Sequence, residues 1–185
     1  MKTNRIIALA LTALALFSCK KNDIEDPKEE ELTFENVLKA DFNHLYQQGT
    51  GEKFFYEVQC ELNGVLSELA PADVKMTYAT SIGVVDDIIY YGYTDFEKGE
   101  TTYEQEPGRW GGSFSITDIS VIKITFQRAV ELVKGQSELP VPDTKLMTFR
   151  HPVGTLEHPV YIFGSGSLNY YTIVDAVTGA VGKLK

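Results

Sequence analysis

The chain has 185 residues, 43% of them hydrophobic, which is enough apolar content for a packed core and excludes a wholly disordered polymer. Its net charge of −9 argues against nucleic acid as a partner, because phosphate binding needs clustered Lys and Arg. The same charge argues against electrostatic adhesion to an anionic membrane.

In chain order, Met1 to Arg5 carries two cations, Lys2 and Arg5, and no acid. Ile6 to Phe17 is apolar except for Thr12, and Leu16-Phe17-Ser18-Cys19 closes the stretch. A charged start, a short apolar run and a small residue before a cleavage point predict a signal peptide over 1–18. That run is too short to span a bilayer comfortably, and no other segment approaches the length of a transmembrane helix. Its ending resembles the lipobox of bacterial lipoproteins, with Phe17 where a small residue is usual. The resemblance implies that Cys19 is acylated, palmitate being one such acyl group, and becomes the first mature residue. Acyl chains at about 0.8 kcal/mol per buried methylene then anchor the protein in the cell envelope. Without Lys2 and Arg5 the mature chain has 15 basic against 26 acidic residues, a net charge of about −11. With Cys19 acylated, Cys60 has no partner for a disulfide. It reads as a small buried hydrophobe, with a reactive thiol as the minor alternative.

Residues 19–32 form an acidic tether: Asp23, Glu25, Asp26, Glu29, Glu30 and Glu31 against Lys20, Lys21 and Lys28, with Ile24 the one apolar residue before Leu32. Such a stretch cannot bury itself and reads as a spacer. Acids soon after a lipidated cysteine resemble the surface-export signal of some Gram-negative lipoproteins. That implies a bacterial outer-membrane lipoprotein exposed at the cell surface, with a periplasm-facing anchor as the alternative.

The folded part begins at Thr33. Phe34, Val37, Leu38, Phe42, Leu45 and Tyr46 share one helical face, Thr33 can cap and Gly49 can terminate. The period then switches to two: Phe54, Tyr56, Val58, Cys60 and Leu62 alternate with Phe55, Glu57, Gln59 and Glu61. Asn63-Gly64 signals a hairpin, with Val65 to Leu69 as the return strand. Val74, Met76 and Tyr78 suggest a further strand, and Val84 to Tyr93 another. Glu97 to Gly112 reads as loop. A second helix is predicted from Thr125 to Lys134, capped by Thr125, with Phe126, Val130 and Val133 buried and Gly135 as the stop. Strands follow at Lys145 to Arg150, Val160 to Phe163 and Leu168 to Asp175, then a short last one.

Helices followed by antiparallel strands, without regular βαβ alternation, define an α+β fold with helices packed on an antiparallel sheet. The order helix-then-strands occurs twice, predicting two units in tandem over 33–112 and 113–185. Leu32-Thr33-Phe34-Glu35-Asn36-Val37-Leu38 lays over Ile124-Thr125-Phe126-Gln127-Arg128-Ala129-Val130 with apolar positions coinciding. Internal duplication and the general likeness of capped amphipathic helices both account for this.

In the second unit, Ile124 to Val133, Pro159-Val160-Tyr161-Ile162-Phe163 and Val174-Asp175-Ala176-Val177-Thr178-Gly179-Ala180-Val181 resemble the PepSY domain. The match covers roughly the last 60 to 70 residues, and its most specific element is the Asp-Ala-x-Thr-Gly turn. The first unit lacks that turn and has Asn63-Gly64 instead. The resemblance implies a small helix-on-sheet module without enzymatic activity that binds a protein partner or restrains a peptidase. The turn also has a direct reading. Asp175 can accept from backbone N–H groups just ahead, Thr178 can cap locally, and Gly179 supplies positive φ. These three residues read as structural.

Side chains for chemistry are sparse. His44 falls on the first helix beside its apolar face. His151, Glu157 and His158 flank a loop and could touch a metal, but no thiolate or helical His spacing accompanies them, so the expectation is no metal and no cofactor. Gly164-Ser165-Gly166-Ser167 is neither a nucleophile elbow nor a phosphate loop. No catalytic residue is nominated. The remaining lead is aromatic: Tyr90, Tyr91, Tyr93, Tyr103 and Trp110, a candidate surface for a peptide or glycan. A two-sided sheet edge accounts for the same residues.

Overall fold

Thr33 turns the chain into its first helix. Its hydroxyl accepts from the backbone N–H of Asn36 at 3.2 Å, which occupies one of the orphan donors of the first turn. In the computed structural model, residues 32–185 are described except 112, 153 and 165–168. The signal peptide, Cys19 and the acidic tether lie outside the described residues, as does most of Gly164 to Ser167. Helix α1 spans Phe34–Tyr46 and buries Phe34, Val37, Leu38 and Leu45. Helix α2 spans Phe126–Gly135, with Thr125 accepting from the N–H of Arg128 and Phe126, Ala129, Val130 and Val133 buried.

The strands are β1 Lys53–Leu62, β2 Met76–Val85, β3 Ile88–Asp95, β4 Glu100–Pro107, β5 Ser113–Phe114, β6 Leu146–Pro152, β7 Val160–Phe163, β8 Tyr171–Asp175 and β9 Val181–Leu184. They form one sheet in the order β4-β3-β2-β1-β6-β7-β8-β9, with β5 added to β6. Every pairing along it is antiparallel. The fold is therefore α+β. Each half supplies a helix followed by a four-strand meander. The two halves meet where β1 pairs with β6, so the units expected in tandem share one sheet.

They also share one core. Register places Val58 beside Ser81 and Phe149, and Cys60 beside Ala79 and Met147. Phe149 then faces Tyr161, and Tyr161 faces Val174. These side chains and the apolar stripes of both helices form a single cluster. Phe34 of α1 has its ring centroid 5.4 Å from Phe149, 5.6 Å from Tyr161 and 6.4 Å from Phe126. The Glu35 carboxylate accepts from the Phe126 N–H at 2.7 Å, so α1 caps the start of α2. Cys60 is a buried free thiol, and burial pushes its pKa up, which keeps it protonated and inert.

Four local expectations change. A bulge between Phe55 and Glu57 breaks the alternation of β1, so that Phe55 joins the helix-side core while Phe54 and Tyr56 pack on the other face. Val65 to Leu69 is not a strand. Asn63 instead closes a long connection, donating to the carbonyl of Asp73 at 3.0 Å and accepting from the N–H of Lys75 at 2.9 Å. Val84 to Tyr93 is interrupted by Asp86 and Asp87, both at positive φ (51° and 61°), which make the two-residue turn joining β2 to β3. Glu100 to Pro107 is an edge strand. Its Glu-Thr-Thr-Tyr-Glu-Gln-Glu sequence lacks an apolar face because almost all of it meets solvent.

Candidate functional site on the uncovered sheet face

Both helices pack on one side of the sheet, and the other side has no covering element among the described residues. Register fixes what that side displays. One row across the strands reads Glu104, Tyr91, Ile82, Glu57, Arg150, Val160, Asp175. The next reads Thr102, Tyr93, Thr80, Gln59, Thr148, Ile162, Ile173. Ile82, Val84 and Ile89 form a small cluster with Phe54, Tyr56, Tyr91 and Trp110. Val160, Ile162 and Ile173 form another with Leu156 and Leu184. Between them Glu57, only 4% exposed, accepts from the Gln59 amide at 2.6 Å and has Arg150 at 3.8 Å. Tyr78 (46% exposed), Leu146 (60%) and Tyr171 (48%) extend the apolar surface into solvent.

The tyrosine rings are ordered on one another. Tyr91 and Tyr93 lie 5.9 Å apart with planes 14° from parallel, and Phe54 and Tyr56 are 6.1 Å apart at 19°. The Tyr91 hydroxyl donates to Glu106 at 2.8 Å. That bond, then burial, then the Glu106 charge push the Tyr91 phenol up to about 12. Burial raises Tyr93 too, with Glu104 and Glu106 adding to it. The aromatic platform thus sits in a negative field.

The five aromatics singled out in the sequence are divided between the faces. Tyr91, Tyr93 and Trp110 belong to the uncovered side. Tyr90 packs on the helix-side core. Tyr103 also faces α1: its hydroxyl donates to Asp41 at 3.0 Å, and its ring stacks on His44 with centroids 3.6 Å apart. Asp41 is itself a feature that sequence reasoning missed. It is 3% exposed, its Oδ2 has no partner among the described residues, and Gly92 leaves the room it occupies. Burial raises its pKa, and bonding from Ser81 and Tyr103 and the nearby His44 offset only part of that. Phe54 and Tyr56 were also missed as members of the patch, since the bulge that turns them outward leaves no sequence signature.

Asp175 builds the β8–β9 turn. Its Oδ1 accepts from the N–H groups of Val177 (2.9 Å) and Thr178 (2.8 Å), Thr178 Oγ1 accepts from Ala180 N–H at 3.3 Å, and Gly179 takes φ 77°. Its Oδ2 meets His158 Nδ1 at 2.9 Å. Burial raises this carboxyl, but the bonds from Thr178, His158 and Val177 outweigh it and hold it below the usual range. His158 and His151 border a cleft of about 420 Å³ with Ser115, Lys123 and Glu157. His151 Nε2 is engaged with the Leu156 carbonyl at 3.0 Å. Among the described residues no group of three or more His, Cys, Asp or Glu is arranged to hold a metal.

No protein-family model matches the chain, and no curated protein matches it in sequence. Among solved structures it is similar to the crystal structure of a "putative lipoprotein" from Clostridium difficile 630. The two are 17% identical over 84% of this chain and 93% of that one, with a TM-score of 0.51. At that identity the likeness is one of fold. No helix among the described residues is long and apolar enough to cross a membrane.

Proposed function

We propose that this is a lipid-anchored, non-catalytic protein of the bacterial outer membrane that binds a protein partner on its uncovered sheet face. One observation carries the binding reading: a sheet of eight consecutive strands has both helices on one side and exposed Tyr78, Leu146 and Tyr171 on the other. Contiguous apolar side chains left on the solvent side of a sheet mark an interaction surface in many soluble proteins. The lipobox-like Leu16 to Cys19 supports the anchor, and the fold shared with a protein described as a "putative lipoprotein" agrees with it. The PepSY resemblance supports a peptidase as the partner to be restrained.

Two measurements test the reading. Cys19→Ala should abolish palmitate labelling and release the protein from the membrane fraction; a variant that stays membrane-bound would refute the anchor. A photo-crosslinker placed at Tyr93 in cells should give a discrete protein adduct, while one at Glu131 on α2 gives none. Equal yields from the two positions would refute binding at the sheet face.

A further inference from the structure

We infer that the segment docking on this face bears lysine or arginine side chains, seated over Tyr91 and Tyr93 between the carboxylates of β4 and β1. The inference rests on the reading of the uncovered face as a binding surface and specifies the chemistry of its occupant.

Charge complementarity is the first argument. Glu100, Glu104 and Glu106 of β4 and Glu61 of β1 stand on this face by register. Among the described residues no cation lies within ion-pair distance of any of them, whereas Asp95 has Lys98 at 2.6 Å and Glu57 has Arg150 at 3.8 Å. The surplus negative charge is therefore concentrated at the β1–β4 end. Ring geometry is the second argument. Tyr91 and Tyr93 have ring planes 14° from parallel with centroids 5.9 Å apart, so they stand as a stacked pair on this face. The described cation over an aromatic ring is elsewhere, Lys183 above Tyr170 at 4.5 Å. A guanidinium or ammonium placed over Tyr93 would meet a ring quadrupole and the Glu104 carboxylate together, and each strengthens the other where water is thinned. An acidic segment would meet the same field as repulsion. The flat, pleated surface favours an extended chain, whose alternate side chains project at the spacing of the rows.

The test uses the full-length protein in detergent micelles and two probes, the eight-residue peptides (Arg-Ser)₄ and (Glu-Ser)₄ with blocked ends. Trp110, packed in the Phe54–Tyr91 cluster, reports binding by fluorescence. The arginine peptide should bind and the glutamate peptide should not. Tyr93→Leu, which keeps apolar bulk but removes the π face, should weaken binding about threefold. Glu104→Gln with Glu106→Gln should weaken it about tenfold, and Glu131→Gln with Glu138→Gln on the helix side should leave it unchanged. Thermal unfolding confirms that each variant is folded; should Tyr93→Leu not fold, Tyr93→Phe with Glu104→Gln takes its place, with the loss expected from the charge alone. Equal losses from the two glutamine pairs would mean diffuse attraction to an acidic protein and would overturn the inference. So would binding of the glutamate peptide, or a response only to neutral glycans. An adduct at Tyr93 in cells whose cross-linked segment lacks Lys and Arg overturns the inference while the binding face stands; absence of any adduct refutes the face itself.

Discussion

Asp41 shows how one residue can oppose the fold that contains it. A carboxylate on the buried side of α1 loses hydration, and the bond from Tyr103 returns only part of it. Its pKa is raised in the folded protein, so over the window from the unfolded value of about 3.9 up to the raised value the native state holds more protons than the unfolded one. Stability from this group is therefore greatest at low pH and falls as pH rises through that window. Asp41→Asn keeps an acceptor for Tyr103 and removes the titration. The variant should gain on the wild type as pH rises from 3 to 7, read as the difference in urea midpoints; a constant difference would sink the assignment. Asp175 behaves oppositely. Its pKa is lowered, so its contribution is present at neutral pH and lost as pH falls through the folded value. Asp175→Ala frees two backbone N–H groups and the His158 ring at once, and should cost about 2 kcal/mol at neutral pH in chemical unfolding. A loss near zero would show that solvent replaces those bonds.

At the level of elements, the β2–β3 turn is the clearest case of strain accepted for geometry. Asp86 and Asp87 both take positive φ, which only glycine adopts freely. The Arg109–Asp87 pair is solvent-exposed on both sides and adds little. Asp87→Gly should thus raise stability by up to about 1 kcal/mol in urea titration, and a destabilised variant would show that the carboxylate supports the turn. The same turn marks the boundary of what was legible in the sequence. Helices α1 and α2, their threonine N-caps and β6 to β9 follow from periods of 3.6 and 2 and from Thr, Gly and Pro punctuation, whereas the C-caps fall on Gln47 and Gln136 and not on the glycines expected to stop the helices. Asp-Asp between apolar runs carries no such signal, because aspartate enters the left-handed region by tolerance and not by preference. Strand β4 was invisible for a related reason: an edge strand wet on both sides needs no alternation. Half of the aromatic site was legible. The sequence singled out five of the six aromatics between Tyr90 and Trp110, but assigning Tyr90 and Tyr103 to the helix side requires strand boundaries and register, and adding Phe54 and Tyr56 requires the bulge.

At the scale of the whole molecule, the sequence suggests two units while the packing makes them interdependent. The second unit carries the Asp175–Gly179 turn, yet its first long strand, β6, is bordered by β1 from the first. The start of α2 takes its carboxylate acceptor from Glu35, and Phe34 lies among Phe126, Phe149 and Tyr161. Separating the halves would expose Phe149 and Tyr161, both fully buried, together with one edge of β6. A unit of about seventy residues has little margin for that loss, because a domain of this size buries a smaller fraction of its surface than a larger one does. Residues 113–185 expressed alone should therefore lack dispersed amide signals and cooperative melting, and mixing with residues 33–112 should restore both. Within the intact chain Phe34→Ala should cost about 3–5 kcal/mol, with amides of β2 and β8 losing exchange protection together. Protection lost near α1 but retained in β8 would mean that the two helix-plus-meander halves unfold separately, and that β1–β6 pairing joins two domains instead of completing one.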